Sequence, residues 1–96
     1  MDFSGKKVGI WGYGITGKAT AEFALKNNAA VSVMDKNPLT QEDNYFNSNS
    51  ITFAPQSEME EFFAAQDIII PSAGIDLRPY YEQHKNKWLF ELDIFA

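Results

Sequence analysis

Residues 8–17 read Val-Gly-Ile-Trp-Gly-Tyr-Gly-Ile-Thr-Gly, a short apolar run that leads straight into the spacing Gly-x-Gly-x-x-Gly. The apolar run predicts a buried strand over residues 7–11, and a helical pattern begins at Thr16. A strand that turns sharply into a helix directs several backbone N–H groups at one point. We therefore expect an anionic ligand at this turn, and a diphosphate fits the pattern best.

Each glycine of the pattern has a physical reason in this setting. Gly12 makes the tight turn, Gly14 lets phosphate oxygens approach the backbone, and Gly17 lets the helix pack on the sheet. The spacing alone is a weak signal, because glycine-rich turns that bind nothing also match it. The preceding strand, the following helix and Asp35 at the end of the next strand strengthen the signal here.

The composition fits one small domain. The chain has 96 residues, 45% of them hydrophobic, with eight Phe. It has no cysteine, which excludes a disulfide scaffold, a thiolate metal site and cysteine catalysis. The net charge of −5, with no cluster of lysine or arginine, argues against binding to nucleic acid or to an anionic membrane. Because the sequence shows no apolar leader and no run long enough to span a membrane, we expect a cytoplasmic protein.

Strand-like and helix-like segments alternate along the chain. The first helix is predicted over residues 16–28 and should end at Asn27-Asn28, because Asn tolerates the left-handed conformation. Further strands are predicted over residues 30–34, 51–54, 67–70 and 88–90. A second helix is predicted to begin at the capping-box sequence of residues 57–60, and a third is predicted over residues 79–86. A short helical turn is also predicted over residues 41–46. This alternation predicts an α/β fold with a five-stranded parallel sheet in the order 3-2-1-4-5.

Three further positions could contact a ligand at the glycine turn. Thr16, in the first helical turn, either adds a hydrogen bond to a phosphate or caps the helix. Asp35 either accepts a hydrogen bond from a ribose 2′-hydroxyl or a base N–H, or is an ordinary turn residue. The loop Ser72-Ala73-Gly74 should face the glycine turn across the crevice where neighbouring strands diverge, unless it is a plain strand-to-helix turn.

Other conspicuous side chains favour structural roles. The single histidine, His84, lies among polar residues and is expected on the exposed surface of a helix. Trp11 and Trp88 are expected to pack in the core or at its edge rather than to stack on a ligand. Acidic residues in a first helical turn complement the helix dipole, which we favour over a metal site for Glu58, Glu60 and Glu61. We therefore assign no catalytic residue and no metal site.

Four segments together resemble the N-terminal domain of the D-glutamate-adding Mur ligases of peptidoglycan synthesis. These segments are residues 7–17, 33–35, 71–75 and 91–95. The resemblance extends over all 96 residues and implies a Rossmann-like fold. It also implies that residues 1–96 are the N-terminal UDP-binding domain of a longer multidomain enzyme, which serves cell wall biogenesis, cell shape and cell division.

The resemblance implies that the ligand is UDP-MurNAc-L-Ala, held through its UDP group. Carried over by position, the contacts are Gly14, Ile15, Thr16 and Gly17 at the diphosphate, Asp35, Lys36 and Asn37 at the uracil, and Ser72, Ala73 and Gly74 on the opposite wall. Such a ligase uses ATP and Mg²⁺ to form an acyl phosphate, which D-glutamate then attacks. Those steps belong to later domains, so the chain by itself would bind without catalysing.

The residues also allow two other interpretations. The first is the NAD-binding module of a dehydrogenase or of a regulatory subunit, in which Asp35 would contact the adenosine ribose. The second is a scaffold whose glycine turn has no ligand.

Overall fold

Four parallel strands form the centre of the protein. The computed structural model describes residues 3–12, 15–35, 51–72 and 75–90. The strands lie in the order β3-β2-β1-β4. The elements are β1 (Lys7–Trp11), α1 (Ile15–Lys26), β2 (Ala30–Asp35), β3 (Thr52–Pro55), α2 (Met59–Ala65) and β4 (Ile68–Pro71). All three strand pairs are parallel, so the predicted α/β class and the order of these four strands are confirmed.

The sheet has two apolar faces because side chains alternate along each strand. Val8 and Ile10 of β1 belong to a core cluster that also contains Ala21 and Ala24 of α1. The opposite face carries Trp11, which packs in a second cluster with residues of α2 and β4. The members of that second cluster are Trp11, Met34, Phe62, Phe63 and Ile69. Helices therefore cover both faces, as a parallel sheet requires.

Helix α1 ends where the asparagine pair predicts. Its last residue is Lys26, and Asn28 adopts a left-handed backbone conformation with φ 66°. The N–H of Ala29 donates to the carbonyl of Ala24 over 3.1 Å, which closes the helix end. The chain can then turn directly into β2.

The predicted fifth strand is reduced to a single bridge, which corrects the expected five-stranded sheet. Trp88 pairs with Ile69 as an isolated parallel bridge beside β4. The N–H of Ile69 donates to the carbonyl of Lys87 over 2.8 Å, and the N–H of Leu89 donates to the carbonyl of Ile69 over 2.9 Å. Turn residues precede Trp88 directly, so the pairing reaches only one residue among those described.

The two predicted later helices also differ from the structure. Ser57 lies inside a 3₁₀ turn over Gln56–Glu58, so it is not the residue before α2, and no side chain caps that helix. The predicted capping box is therefore wrong.

Residues 79–86 contain a 3₁₀ turn over Glu82–His84 and no α-helix. The N–H of His84 donates to the Tyr81 carbonyl three residues earlier, over 3.3 Å, and the Trp88 indole N–H donates to the same oxygen over 3.1 Å. These two bonds occupy the acceptor that a longer helix would need.

Some predictions fall on parts of the chain that are not described. They are the turn over residues 41–46, within the predicted loop 36–50, and the segment 91–95. In the described part of the chain, no helix combines the length and apolar character needed to cross a membrane.

Candidate functional site

The carboxyl ends of three neighbouring strands are tied together by the backbone. The N–H of Gly12, just after β1, donates to the carbonyl of Met34 in β2 over 2.7 Å. On the other side, the N–H of Ser72, just after β4, donates to the carbonyl of Trp11 over 2.9 Å. The chain leaves β1 toward β2, whereas β4 lies on the opposite side of β1. This is the switch point at which open α/β sheets form a ligand crevice.

Gly12 meets two requirements that only glycine satisfies here. Its φ is 98°, a conformation that side chains with a Cβ rarely adopt. A Cβ on Gly12 would also lie 2.5 Å from Ser72 Oγ and 3.4 Å from Ile75 Cδ1. The absent side chain therefore leaves room for Ser72, after β4, to pack against the turn after β1.

Gly17 brings the start of α1 against the end of β1. A Cβ on Gly17 would collide with the carbonyl oxygen of Gly12 and lie 3.3 Å from its carbonyl carbon. The first turn of α1 contains no acidic residue that would neutralise the positive end of the helix dipole. The helix start is thus close to the strand end and electrostatically suited to an anion.

Asp35 lies at the same edge of the sheet, as the last residue of β2. It is half-buried and stands opposite Pro55 in the register with β3. Since β2 is the direct neighbour of β1, its carboxylate and the glycine turn share one edge of the sheet. With a diphosphate at the glycine turn, the nucleoside attached to it could reach Asp35, whose carboxylate would accept a hydrogen bond from it.

Ile75 is a wall residue that the sequence analysis did not assign to the site. Its N–H donates to the Ser72 carbonyl over 3.2 Å, which holds Ile75 beside the end of β4. Its side chain thereby reaches the space beside Gly12. Its position directly after Ser72-Ala73-Gly74 is the only sequence signal that could have indicated it.

The structure brings together part of the predicted binding set. Gly17 and Ser72 both adjoin Gly12, and Asp35 lies at the same edge of the sheet. The remaining members lie outside the described residues, or only their backbone is described. Those outside are Gly14, Lys36, Asn37, Ala73 and Gly74, and those described by backbone alone are Ile15 and Thr16.

An exposed ion pair lies just beyond the crevice. Arg78 Nη2 donates to Asp76 Oδ2 over 2.8 Å and Arg78 Nε to Oδ1 over 2.9 Å. The side-chain bonds from Arg78, and then the bond from its backbone N–H, lower the pKa of the Asp76 carboxyl from its usual 3.8. The same pairing raises the pKa of Arg78. The guanidinium is thus engaged by a neighbour two residues away.

His84 contradicts the expected exposed position. Only 14% of its side chain is exposed, and its ring packs against Phe63 with centroids 5.2 Å apart. Its Nε2 atom is buried without a hydrogen-bond partner, and Glu60 Oε2 lies 3.9 Å away. The polar neighbours in the sequence misled the prediction because the 3₁₀ turn, rather than a helix, directs this ring inward.

The two tryptophans lie where the sequence predicts. Trp11 is 6% exposed, and Trp88 packs partly buried against the same cluster, with ring centroids 6.4 Å apart. Among the described residues, no group of three histidine or acidic side chains could hold a metal ion.

Comparison with known proteins identifies a relationship over most of the chain. Residues 1–76 match the family model described as D-isomer specific 2-hydroxyacid dehydrogenase, NAD binding domain. This match includes β1 to β4, the glycine turn and Asp35. A comparison with curated protein sequences found no relative.

Similar solved structures share the fold. The dipicolinate synthase A chain from Bacillus subtilis aligns at 18% identity with a TM-score of 0.70, over 94% of this chain and 38% of that one. L-Tryptophan dehydrogenase from Nostoc punctiforme aligns at 20% identity with a TM-score of 0.68, over 94% and 28%. A Granulicella M. formate dehydrogenase aligns at 18% identity with a TM-score of 0.64, over 76% and 18%. The chain therefore spans less than two fifths of each of these proteins.

The family match overturns the resemblance to the Mur ligases. The expected ligase activity, its ATP and Mg²⁺, and its partners UDP-MurNAc-L-Ala and D-glutamate are therefore wrong, as is the implied role in peptidoglycan synthesis. The error has a physical cause. A UDP-sugar and a nicotinamide dinucleotide both contain a diphosphate. The glycine turn contacts only that shared group, so its sequence does not distinguish the two ligands.

Proposed function

We propose that this chain, which belongs to the family of D-isomer specific 2-hydroxyacid dehydrogenase NAD binding domains, binds NAD(H) at the carboxyl edge of its sheet. The diphosphate would lie at the turn between Gly12 and Gly17, against the first turn of α1. The family match supports the alternative interpretation of the sequence, in which the chain is an NAD-binding module.

The close approach of Gly17 to the Gly12 carbonyl carries this proposal. A side chain at Gly17 would collide with the Gly12 carbonyl oxygen, so glycine is needed for the start of α1 to lie against the end of β1, where its backbone N–H groups can face a diphosphate. Because the net charge of the chain is −5, binding must depend on oriented backbone N–H groups rather than on the overall field. The residues present therefore fit the cofactor.

Asp35 would select between the two nicotinamide dinucleotides. A carboxylate at the end of β2 accepts hydrogen bonds from ribose hydroxyls, whereas it repels a 2′-phosphate. We propose that the chain prefers NAD(H) to NADP(H) for this reason. Ser72 and Ile75 form the facing wall, which would orient the bound dinucleotide and limit the access of water.

The whole protein would be an oxidoreductase that acts on a 2-hydroxy acid. Bound NAD⁺ supplies the hydride acceptor in such chemistry. The described residues at the carboxyl edge of the sheet would bind and orient the cofactor. Among them, Asp35 is the only ionisable residue placed for contact with it. The cytoplasmic location expected from the sequence stays a prediction.

Calorimetric titration of the 96-residue chain with NAD⁺, NADP⁺ and UDP tests the proposal. We expect saturable binding of NAD⁺, weaker binding of NADP⁺ by at least about tenfold, and no tighter binding of UDP than of NAD⁺. Asp35→Asn should reduce the preference for NAD⁺ over NADP⁺, because the charge is lost while the shape is kept. Tighter binding of UDP than of NAD⁺ would refute the assignment.

A further inference from the structure

One peptide group joins the ends of three strands at the switch point. The carbonyl of Trp11 and the N–H of Gly12 belong to the same planar peptide unit. The carbonyl accepts a hydrogen bond from the N–H of Ser72 over 2.9 Å, and the N–H donates to the carbonyl of Met34 over 2.7 Å. The orientation of this single plane therefore fixes how the ends of β4, β1 and β2 meet beside the glycine turn.

Gly12 does not fix that plane by itself. A glycine rotates about φ with little steric restriction, so its φ of 98° has to be maintained by its surroundings. On the other side of the peptide, Trp11 carries a large ring and is only 6% exposed. Because an enclosed ring leaves its own backbone little freedom to turn, the packing of the Trp11 ring restrains the peptide together with its two hydrogen bonds.

Tyr80 packs directly on the Trp11 ring. The two ring centroids are 5.4 Å apart with an interplanar angle of 76°, the edge-to-face arrangement that aromatic pairs favour. Tyr80 also packs on Phe63 of α2, with centroids 5.7 Å apart, and Phe63 lies 5.1 Å from the Trp11 ring. The three rings contact one another, so α2 supports Tyr80 in its place on Trp11.

The chain after β4 contacts Trp11 twice. Ser72 donates to its backbone carbonyl, and Tyr80 then packs on its side chain. The N–H of Tyr80 donates to the Leu77 carbonyl over 2.8 Å, so a turn precedes this ring. Tyr80 lies beyond residues 1–76, the part of the chain that matches the family model, and the family match therefore does not account for this contact.

We propose that Tyr80 is a positioning residue for the dinucleotide site. By packing on the Trp11 ring, it holds the peptide between Trp11 and Gly12 in the orientation that the glycine turn requires, and it acts through Trp11 rather than by contact with the cofactor. The part of this inference that concerns cofactor binding rests on the proposed function. The part that concerns the peptide involves no ligand and is tested separately.

Amide hydrogen exchange, followed by NMR on the 96-residue chain without ligand, tests the effect on the peptide. We expect Tyr80→Leu to speed the exchange of the Gly12 and Ser72 amides at least about tenfold. The reference amides are those of Ala30 and Asp67, which donate over 2.9 and 2.8 Å to carbonyl groups at or just before the start of β1. A purely structural loss would speed the exchange of all four amides together.

Two further variants are matched to this substitution. Tyr81→Leu changes the adjacent tyrosine, which is 42% exposed, and should leave all four exchange rates unchanged. Tyr80→Phe keeps the ring and should restore the slow exchange of the wild type. If Tyr80→Leu does not fold, Tyr80→Met, which also lacks the ring but keeps a long apolar side chain, provides the same comparison.

Calorimetric titration of the folded variants with NAD⁺ tests the effect on cofactor binding. If the peptide is correctly oriented for only a fraction of the time, the apparent affinity falls by that fraction, so we expect Tyr80→Leu to weaken NAD⁺ binding at least about fivefold. Tyr80→Phe and Tyr81→Leu should bind NAD⁺ as the wild type does.

Three results would overturn the inference. The first is equal acceleration of all four amides in Tyr80→Leu. The second is the same exchange pattern in Tyr81→Leu, and the third is an unchanged NAD⁺ affinity in Tyr80→Leu. If the wild-type chain itself does not bind NAD⁺, the proposed function fails, whereas selective acceleration at Gly12 and Ser72 still shows that Tyr80 holds the peptide.

Discussion

Ser72 Oγ occupies the space in which a side chain at position 12 would begin, because a Cβ on Gly12 would lie 2.5 Å from it. The two residues follow β1 and β4, which are adjacent in the sheet and leave it in different directions. This close approach brings the chain after β1 and the chain after β4 together at the switch point. It also makes the crevice testable by single substitutions.

Gly12→Ala should lower both stability and NAD⁺ affinity. The strained backbone conformation costs about 1–3 kcal/mol, and the contact with Ser72 displaces the facing loop. We expect at least a tenfold loss of NAD⁺ affinity by calorimetry. Gly5→Ala is the matched control, because Gly5 also has a positive φ, 75°, but no atom within 4 Å of its Cβ position. Equal losses of affinity in the two variants would show that the crevice contact is irrelevant.

Ser72→Ala should partly rescue the Gly12→Ala variant. Removing Oγ leaves Ser72 Cβ, which would lie 3.1 Å from the new methyl group, so the relief is incomplete. In a double-mutant cycle of chemical denaturation, we expect a favourable coupling of about 0.5–1 kcal/mol. Additive effects would mean that the two side chains do not meet. The Gly5→Ala, Ser72→Ala pair should be additive and serves as the reference cycle.

His84→Phe should leave the free energy of unfolding unchanged or raise it by about 1 kcal/mol. The imidazole is enclosed by aromatic rings, and its buried Nε2 has no partner, so an apolar ring removes an unsatisfied group. Thermal and urea denaturation at neutral pH measure the effect. A clear destabilisation, matched by Glu60→Gln, would instead reveal an ion pair with Glu60, whose Oε2 lies 3.9 Å away.

Asp76 should titrate below its usual pKa of 3.8 in the native protein. Since the folded-state pKa is lowered, the contribution of this carboxylate to stability is present above the unfolded value and is lost as the pH falls through the folded value. Arg78→Gln should move the pKa of Asp76 back toward 3.8, as measured by carboxyl NMR. Lys85→Gln removes another exposed charge nearby in sequence and should leave that pKa in place. Because the pair is exposed, the effect on stability should be small.

The assignment of the ligand shows how far the glycine turn can be interpreted. The turn over residues 8–17 predicts a diphosphate, and the close approach of the start of α1 to the end of β1 at Gly17 agrees with it. The turn contains no information about the nucleoside, which contacts residues from other strands. The resemblance to Mur ligases suggested uridine as the nucleoside. The match to an NAD binding domain family overturned that resemblance.

The sequence by itself determined the parallel order of the first four strands, the glycine turn and the left-handed stop at Asn28. These features depend on local periodicity and on backbone conformations that few residue types adopt. Only the tertiary structure decided that Trp88 forms a single bridge, that the His84 ring packs inward with its Nε2 atom buried, and that Gln66 fills the space above Gly9. Each of these outcomes depends on packing between residues distant in the sequence, and local periodicity carries no record of such contacts.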